Sequence, residues 1–283
     1  MKSLKDCFKL SNGVEIPCVG FGTFQAADGD ECTNAVIAAI EAGYVHIDTA
    51  QGYQNEESVG NAVKKSGVPR EELFITTKLT NKIRGYDETI AAFEESMKKL
   101  DMEYLDLFLI HWPNPVHFRD NWQDANASTW KAFEYLYDTK RIRSIGISNF
   151  LPYHTDALLK NAKVPPHVNQ IRLCPGDTQD ENVDYCRSKN ILLQAYSPFG
   201  TGQIFDVPEM KKLAEKYNKT IAQICVRWCL QRDYLPLPKS VTAARIKENA
   251  DVFSFELETA DVQLIADMKG IIGYSKDPDT TAF

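Results

Sequence analysis

Eight short apolar runs, each followed by a stretch of helical periodicity, constrain this chain more than any other feature. The runs are Val19–Gly22, Val45–Ile47, Leu73–Thr77, Leu105–Ile110, Ile142–Ile147, a short one at Val168, Leu192–Tyr196 and Leu235–Leu237. Apolar runs of this length alternating with helices describe parallel strands joined by crossover helices. Eight such units predict a closed (β/α)8 barrel, the TIM-barrel form of the α/β class, rather than an open sheet. Helices are expected over 35–42, 55–66, from Asp87 to Leu100, around Trp130, Phe133 and Leu136, after Pro152, and over 180–189, 208–217 and 220–231. In the third, Ile90, Phe93, Met97 and Leu100 share one face, while Glu94/Lys98 and Glu95/Lys99 pair on the other.

Upstream, Phe8, Leu10, Val14 and Ile16 alternate with polar residues around Asn12-Gly13, which predicts an N-terminal β-hairpin cap. Downstream, two extra helices are expected near the C-terminus, around 243–249 and 259–269. No linker or composition break interrupts the pattern, so residues 1–283 are expected to form a single barrel domain. A net charge of −7, from 39 acidic and 32 basic residues, argues against nucleic acid or an anionic membrane as partner. The seven cysteines are odd in number, scattered, and form no CxxC pair. With no signal-peptide core and no run near the ~20 residues of a membrane span, a cytoplasmic location is expected.

In such a barrel the active site lies at the C-terminal strand ends. Those ends carry Asp48 with Tyr53, then Lys78, His111, Ser148-Asn149, Gln170, Tyr196 and Lys239. Solvated loop ends are polar too, and each residue singly is better explained by structure. Jointly, the first four suit one chemistry. A phenol titrates near ~10 and is a weak acid at neutral pH. A nearby ammonium is expected to lower that value, and a carboxylate to fix the ammonium. His111 can hydrogen-bond an oxygen where negative charge develops.

The stretches GFGTF (20–24), HIDTAQGYQNEESVG (46–60), TTKL (76–79), DLFLIHWP (106–113), GISNF (146–150), NQ (169–170), AYSPFG (195–200) and KSVTAARIKEN (239–249) resemble the aldo-keto reductase family, notably its bacterial aldehyde and 2,5-diketogluconate reductase-like members. The resemblance covers nearly the whole chain. It implies metal-free, NADPH-dependent reduction of a small carbonyl compound, with Asp48, Tyr53, Lys78 and His111 catalytic and Tyr53 the general acid. It also implies that Ser148, Asn149 and Gln170 hold the nicotinamide carboxamide and that Tyr196 faces the ring. Ser197, Pro198 and Phe199 would flank the pyrophosphate. Lys239, Ser240 and Arg245 would hold the 2′-phosphate, Glu248 and Asn249 the adenine, with Gly22, Thr23, Asp48 and Val241 completing the cofactor site. A monomer is the family default.

Phe24 and Trp112, with Tyr53 and His111, match substrate-lining positions, and Trp122 is a further candidate. Thr80 stands where some relatives carry an aromatic. The Gly200–Pro208 segment is too short to fold over a cofactor, and the short tail ending at Phe283 suggests an open pocket. Rival readings are a metal-dependent hydrolase using His46, Asp48, His111 and His167, a Schiff-base lyase using Lys78, and a non-catalytic NADPH sensor. Charge-assisted contacts contribute roughly 1.5–3 kcal/mol each. Arg245→Ala is therefore expected to weaken NADPH binding about tenfold or more while leaving NADH little changed, as read by fluorescence titration of both dinucleotides.

Overall fold

The computed structural model describes residues 1–283. Strands β1 (Cys7–Lys9) and β2 (Glu15–Pro17) pair antiparallel, with Phe8 opposite Ile16. Gly13 takes the left-handed turn position, φ +86, where a side chain would be strained. The Asn12 amide donates to Arg143 O (3.0 Å) and Ser144 Oγ (3.2 Å), fastening the hairpin beneath the sheet. Leu10 and Ile16 are buried there with Phe74, Leu107, Leu109, Val168, Leu235 and Leu237.

The remainder runs β3 (Phe21–Gly22), α1 (Asp30–Glu41), β4 (His46–Asp48), α2 (Glu56–Ser66), β5 (Phe74–Leu79), α3 (Tyr86–Leu100), β6 (Leu105–Ile110), α4 (Trp122–Asp138), β7 (Ile142–Ser148), α5 (Pro152–Leu159), β8 (Val168–Arg172), α6 (Asp180–Ser188), β9 (Leu192–Tyr196), α7 (Pro208–Tyr217), α8 (Ile221–Gln231), β10 (Leu235–Leu237), α9 (Ala243–Ala250) and α10 (Thr259–Asp267). Strands β3 to β10 lie parallel and in chain order, the (β/α)8 arrangement expected. Two backbone bonds join the edges, Gly20 N–H to Pro236 O and Gly22 N–H to Pro238 O, both 3.0 Å. Gly20 is required at this seam. A Cβ there would sit 2.5 Å from Leu237 Cδ2 and 2.6 Å from His46 Nδ1.

Alternation along each strand splits the core. On β6, Phe108 and Ile110 pack outward under the helices, whereas Leu107 and Leu109 pack inward. Phe108 stacks on Phe133 with centroids 4.6 Å apart, and Trp130 continues the stack at 5.5 Å. A second outer cluster gathers Trp228, Cys225 and Cys229 of α8 with Met210 of α7 and Leu193 of β9. All seven cysteines are free thiols. No helix is long and apolar enough to cross a membrane.

Three boundaries differ from expectation for physical reasons. Helix α1 starts at Asp30 rather than Ala35, because exposed Asp30 and Glu31 in its first turn carry no apolar signal. Helix α4 starts at Trp122, inside the stretch expected to be loop. Strand β8 runs past Gln170 to Arg172, whose buried guanidinium pairs with Asp177 at 2.8 Å.

The fold also holds histidines uncharged. Burial pushes His46 down to about 3, and His154 and His167 to about 4; His111 likewise lies well below its ordinary value. Each protonates near ~6.5 once unfolded. Unfolding therefore takes up protons, and stability present above that pH is lost as pH falls toward 4. Asp48 and Glu56, whose carboxyls burial raises, offset part of this. Urea denaturation between pH 6 and 4.5 (roughly the window set by the ~6.5 reference value) is expected to show declining stability. His167→Asn should reduce that slope by about 1.4 kcal/mol per pH unit, the contribution of one proton.

Candidate functional site

Strand register sets the site. Asp48 is paired with Thr76, Lys78 with Leu109, Ser148 with Gln170, and Gln170 with Gln194. These positions share the inward face with Leu109, so their polar ends meet at the top of the barrel. Tyr53 is delivered separately by a single 3-10 turn, Gln51–Tyr53. The Gln51 side chain braces that turn, donating to Ala92 O and Ser96 Oγ and accepting from Thr80 N–H.

Lys78 is wholly buried. Its Nζ donates to Asp48 Oδ1 at 2.6 Å, Thr49 O at 2.8 Å and Tyr53 Oη at 3.2 Å. An ammonium has three protons, and all three are used. Because Lys78 donates to the phenol oxygen, the Tyr53 proton remains available for another acceptor. Asp48 Oδ2 accepts from Gln170 Nε2 at 2.7 Å. Burial pushes Asp48 up and Lys78 down, while their contact pulls each back toward the charged form. With three acceptors on one side and two donors on the other, the ionised pair is maintained.

Tyr53 departs from the sequence expectation. Burial and, second to it, the Asp48 carboxylate hold its phenol well above the ordinary value. The hydroxyl thus keeps its proton at neutral pH. His111, edge-on to the Tyr53 ring at 5.7 Å, is kept neutral by burial and by the Lys78 and Arg84 cations. A neutral imidazole can donate one hydrogen bond without carrying charge.

The other expected residues form the rim. Ser148 Oγ donates to Gln170 O (2.7 Å), and the Asn149 amide donates to His111 O and Ser148 Oγ (both 3.0 Å). Tyr196 Oη donates to Asn149 Oδ1 (2.8 Å). Asn149 and Ser197 hold positive φ, +62 and +49, in the turns leaving β7 and β9. Pro198 is buried and Phe199 packs 5.9 Å from Phe205, within a short 3-10 stretch, Gly200–Asp206. Gly22 bonds to the β10 end, and Thr23 bonds to Asp48 O through its N–H and Oγ1. Lys239 Nζ reaches Gln25 O at 3.1 Å, and Ser240 Oγ accepts from Thr242 N–H. Val241 and Arg245 are exposed at the start of α9, Glu248 is half-buried and Asn249 is buried.

Phe24, half exposed, lies 5.1 Å from the Tyr53 ring. Trp112 is buried beside Phe283, edge-on at 4.8 Å. Trp122 begins α4 and packs on His154 (4.8 Å) and Tyr153 (6.3 Å). One pocket expectation needs correcting. The short tail does not leave this side open. Asp279 accepts from Asn114 Nδ2 and Tyr153 Oη and meets His154 Nε2, while Arg119 holds Thr281 O, which brings Phe283 onto Trp112.

Sequence reasoning missed two buried residues. Arg84 has no carboxylate partner; its guanidinium is held by Thr80 O, Ile83 O, Trp112 O and Asn126 Oδ1. In sequence it is an ordinary loop cation. Gln194 accepts from Gln170 Nε2 at 2.8 Å, and the available signal was a glutamine at the centre of the apolar run LLQAY. Elsewhere, His46 turns to Thr76 and His167 to Ile145. No three His, Cys, Asp or Glu side chains converge into a ligand set.

A model of the aldo/keto reductase family matches residues 18–269. The chain is 47% identical over 281 residues to glyoxal reductase of Bacillus subtilis, covering 99% of each. It is 43% identical to the 9,11-endoperoxide prostaglandin H2 reductase of Trypanosoma cruzi, covering 97% of this chain and 95% of that one. Among solved structures, an aldo-keto reductase from a Medee basin deep-sea metagenome library superposes with TM-score 0.88 at 44% identity, covering 93% and 94%. A Bombyx mori aldo-keto reductase in complex with NADP gives TM-score 0.86 at 36% identity, covering 96% and 94%.

Removing one member of the buried pair tests its electrostatics. Lys78→Met is expected to lower stability by about 3–5 kcal/mol at neutral pH, because Asp48 is left buried and unpaired. Protonating Asp48 relieves that penalty, so urea denaturation should show the deficit shrinking as pH falls.

Proposed function

The chain belongs to the aldo/keto reductase family, whose members reduce carbonyl compounds, and from that premise we propose that it converts a small aldehyde or ketone to an alcohol with NADPH, Tyr53 supplying the proton. The observation that carries this reading is the direction of one hydrogen bond. Lys78 donates to the Tyr53 oxygen, which leaves the hydroxyl proton for a ligand and places a cation where a phenolate would form.

The residues present suit the dinucleotide. Gln170 Oε1 makes no hydrogen bond within the chain, its amide nitrogen being taken by Asp48 and Gln194. The half-buried Tyr196 ring, steadied by Asn149, offers a flat face. Thr242 provides no side-chain cap for α9, so the backbone donors at that helix start remain open beside exposed Arg245. Ser148, Asn149 and Gln170 would hold the carboxamide, with Ser197, Pro198 and Phe199 along the pyrophosphate. Lys239, Ser240 and Arg245 would take the 2′-phosphate, and Glu248 and Asn249 the adenine. Gly22, Thr23 and Val241 would border the same cleft.

When bound, NADPH supplies the hydride that adds to the carbonyl carbon. The protein's part concerns the oxygen, which gains negative charge. Neutral His111 donates a hydrogen bond to it, and Tyr53 transfers its proton to it, giving the alcohol. An alkoxide is a stronger base than a phenolate, so the raised Tyr53 value does not block this transfer. Lys78 stabilises the phenolate left behind, and Asp48 keeps Lys78 charged. Phe24, packed on the Tyr53 ring, and Trp112, packed on Phe283, would offer apolar surface to the carbonyl substrate.

NADPH consumption, followed by absorbance of the reduced nicotinamide against a carbonyl panel beginning with glyoxal, tests the reading. Tyr53→Phe is expected to abolish turnover and leave NADPH binding largely intact. Unchanged turnover in that variant would remove Tyr53 as the acid.

A further inference from the structure

We propose that Gln194 is a positioning residue, its side-chain oxygen fixing the Gln170 amide between Asp48 and the nicotinamide carboxamide; this rests on the NADPH reading above. Gln170 and Gln194 are register partners on β8 and β9, and both are buried within the barrel. Ionised Asp48 can only accept hydrogen bonds, so Gln170 must turn its nitrogen, not its oxygen, toward Oδ2 at 2.7 Å. The second proton on that nitrogen then needs an acceptor, and Gln194 Oε1 provides it at 2.8 Å. With both protons committed, the Gln170 amide cannot rotate, and Oε1 is left as the group presented to a ligand.

Gln194 pays for this arrangement. Its own Nε2 is buried without a partner, and a stranded buried donor is unfavourable. The arrangement therefore gains one acceptor for Gln170 and strands one donor, a balance with no stability advantage. What it does supply is orientation, extending the buried chain from Tyr53 and Lys78 through Asp48 and Gln170 by one more residue.

Gln194→Met keeps the volume and removes both the acceptor and the stranded donor. We expect the NADPH dissociation constant, read by fluorescence titration, to rise roughly tenfold, the effect of losing one well-made buried hydrogen bond. The apo thermal midpoint should stay level or rise, which a merely structural glutamine would not allow. Gln194→Glu restores an oxygen at the same place, and NADPH affinity is expected to recover toward the wild-type value. Wild-type affinity in Gln194→Met overturns the proposal. So does weakened binding accompanied by a lowered midpoint that Gln194→Glu fails to rescue. Failure of the wild-type chain to bind NADPH overturns the functional reading and this inference together, whereas normal wild-type turnover with an unaffected Gln194→Met variant removes the inference alone.

Discussion

The ion pair between Lys78 and Asp48 is the interaction on which the site depends. Two opposite charges buried at 2.6 Å are tolerable only when every remaining proton and lone pair is occupied. The fold meets that demand from three directions. Thr49 O and Tyr53 Oη complete Lys78, while Gln170, held by Gln194, completes Asp48. The groups that satisfy the pair are therefore the same groups that orient the phenol and the open amide oxygen. Electrostatic necessity and site geometry coincide, because both are set by the inward positions of β4, β5, β8 and β9.

Much of the barrel was legible because strand ends announce themselves. Asp48, Lys78, His111 and Gln170 each terminate an apolar run, and a polar group at the end of a buried strand must be paired or used. The helical stripe of α3 was equally plain, since periodicity reports a buried face directly. Helix α1 was clipped where its first turn faces solvent, and α4 where Trp122 follows a proline-rich stretch. Local patterns say nothing when an element begins on its exposed side.

What stayed hidden was mostly long-range. Arg84 looks like a solvated loop cation, yet four oxygens from two loops and α4 enclose it. The tail is short, yet Asp279 ties it to Tyr153, His154 and Asn114, more than a hundred residues earlier. The direction of the Tyr53 shift was misjudged for a related reason. Residue types predicted that an ammonium would be near, but not that burial and the carboxylate behind it would raise the phenol. A pairwise expectation omits the medium in which the pair sits.

The hairpin beneath the barrel has its own bearing on the chemistry above. Leu10 and Ile16 sit within the apolar cluster at the barrel floor, and Asn12 pins the turn to β7. Those side chains close the lower end of the barrel, opposite the end where Tyr53, Lys78 and Asp48 meet. In the reaction proposed above, a phenolate left at Tyr53 would regain its proton from the mouth, the same opening that would admit reactant and release alcohol. Restoring the acid and exchanging the ligand would then share one doorway.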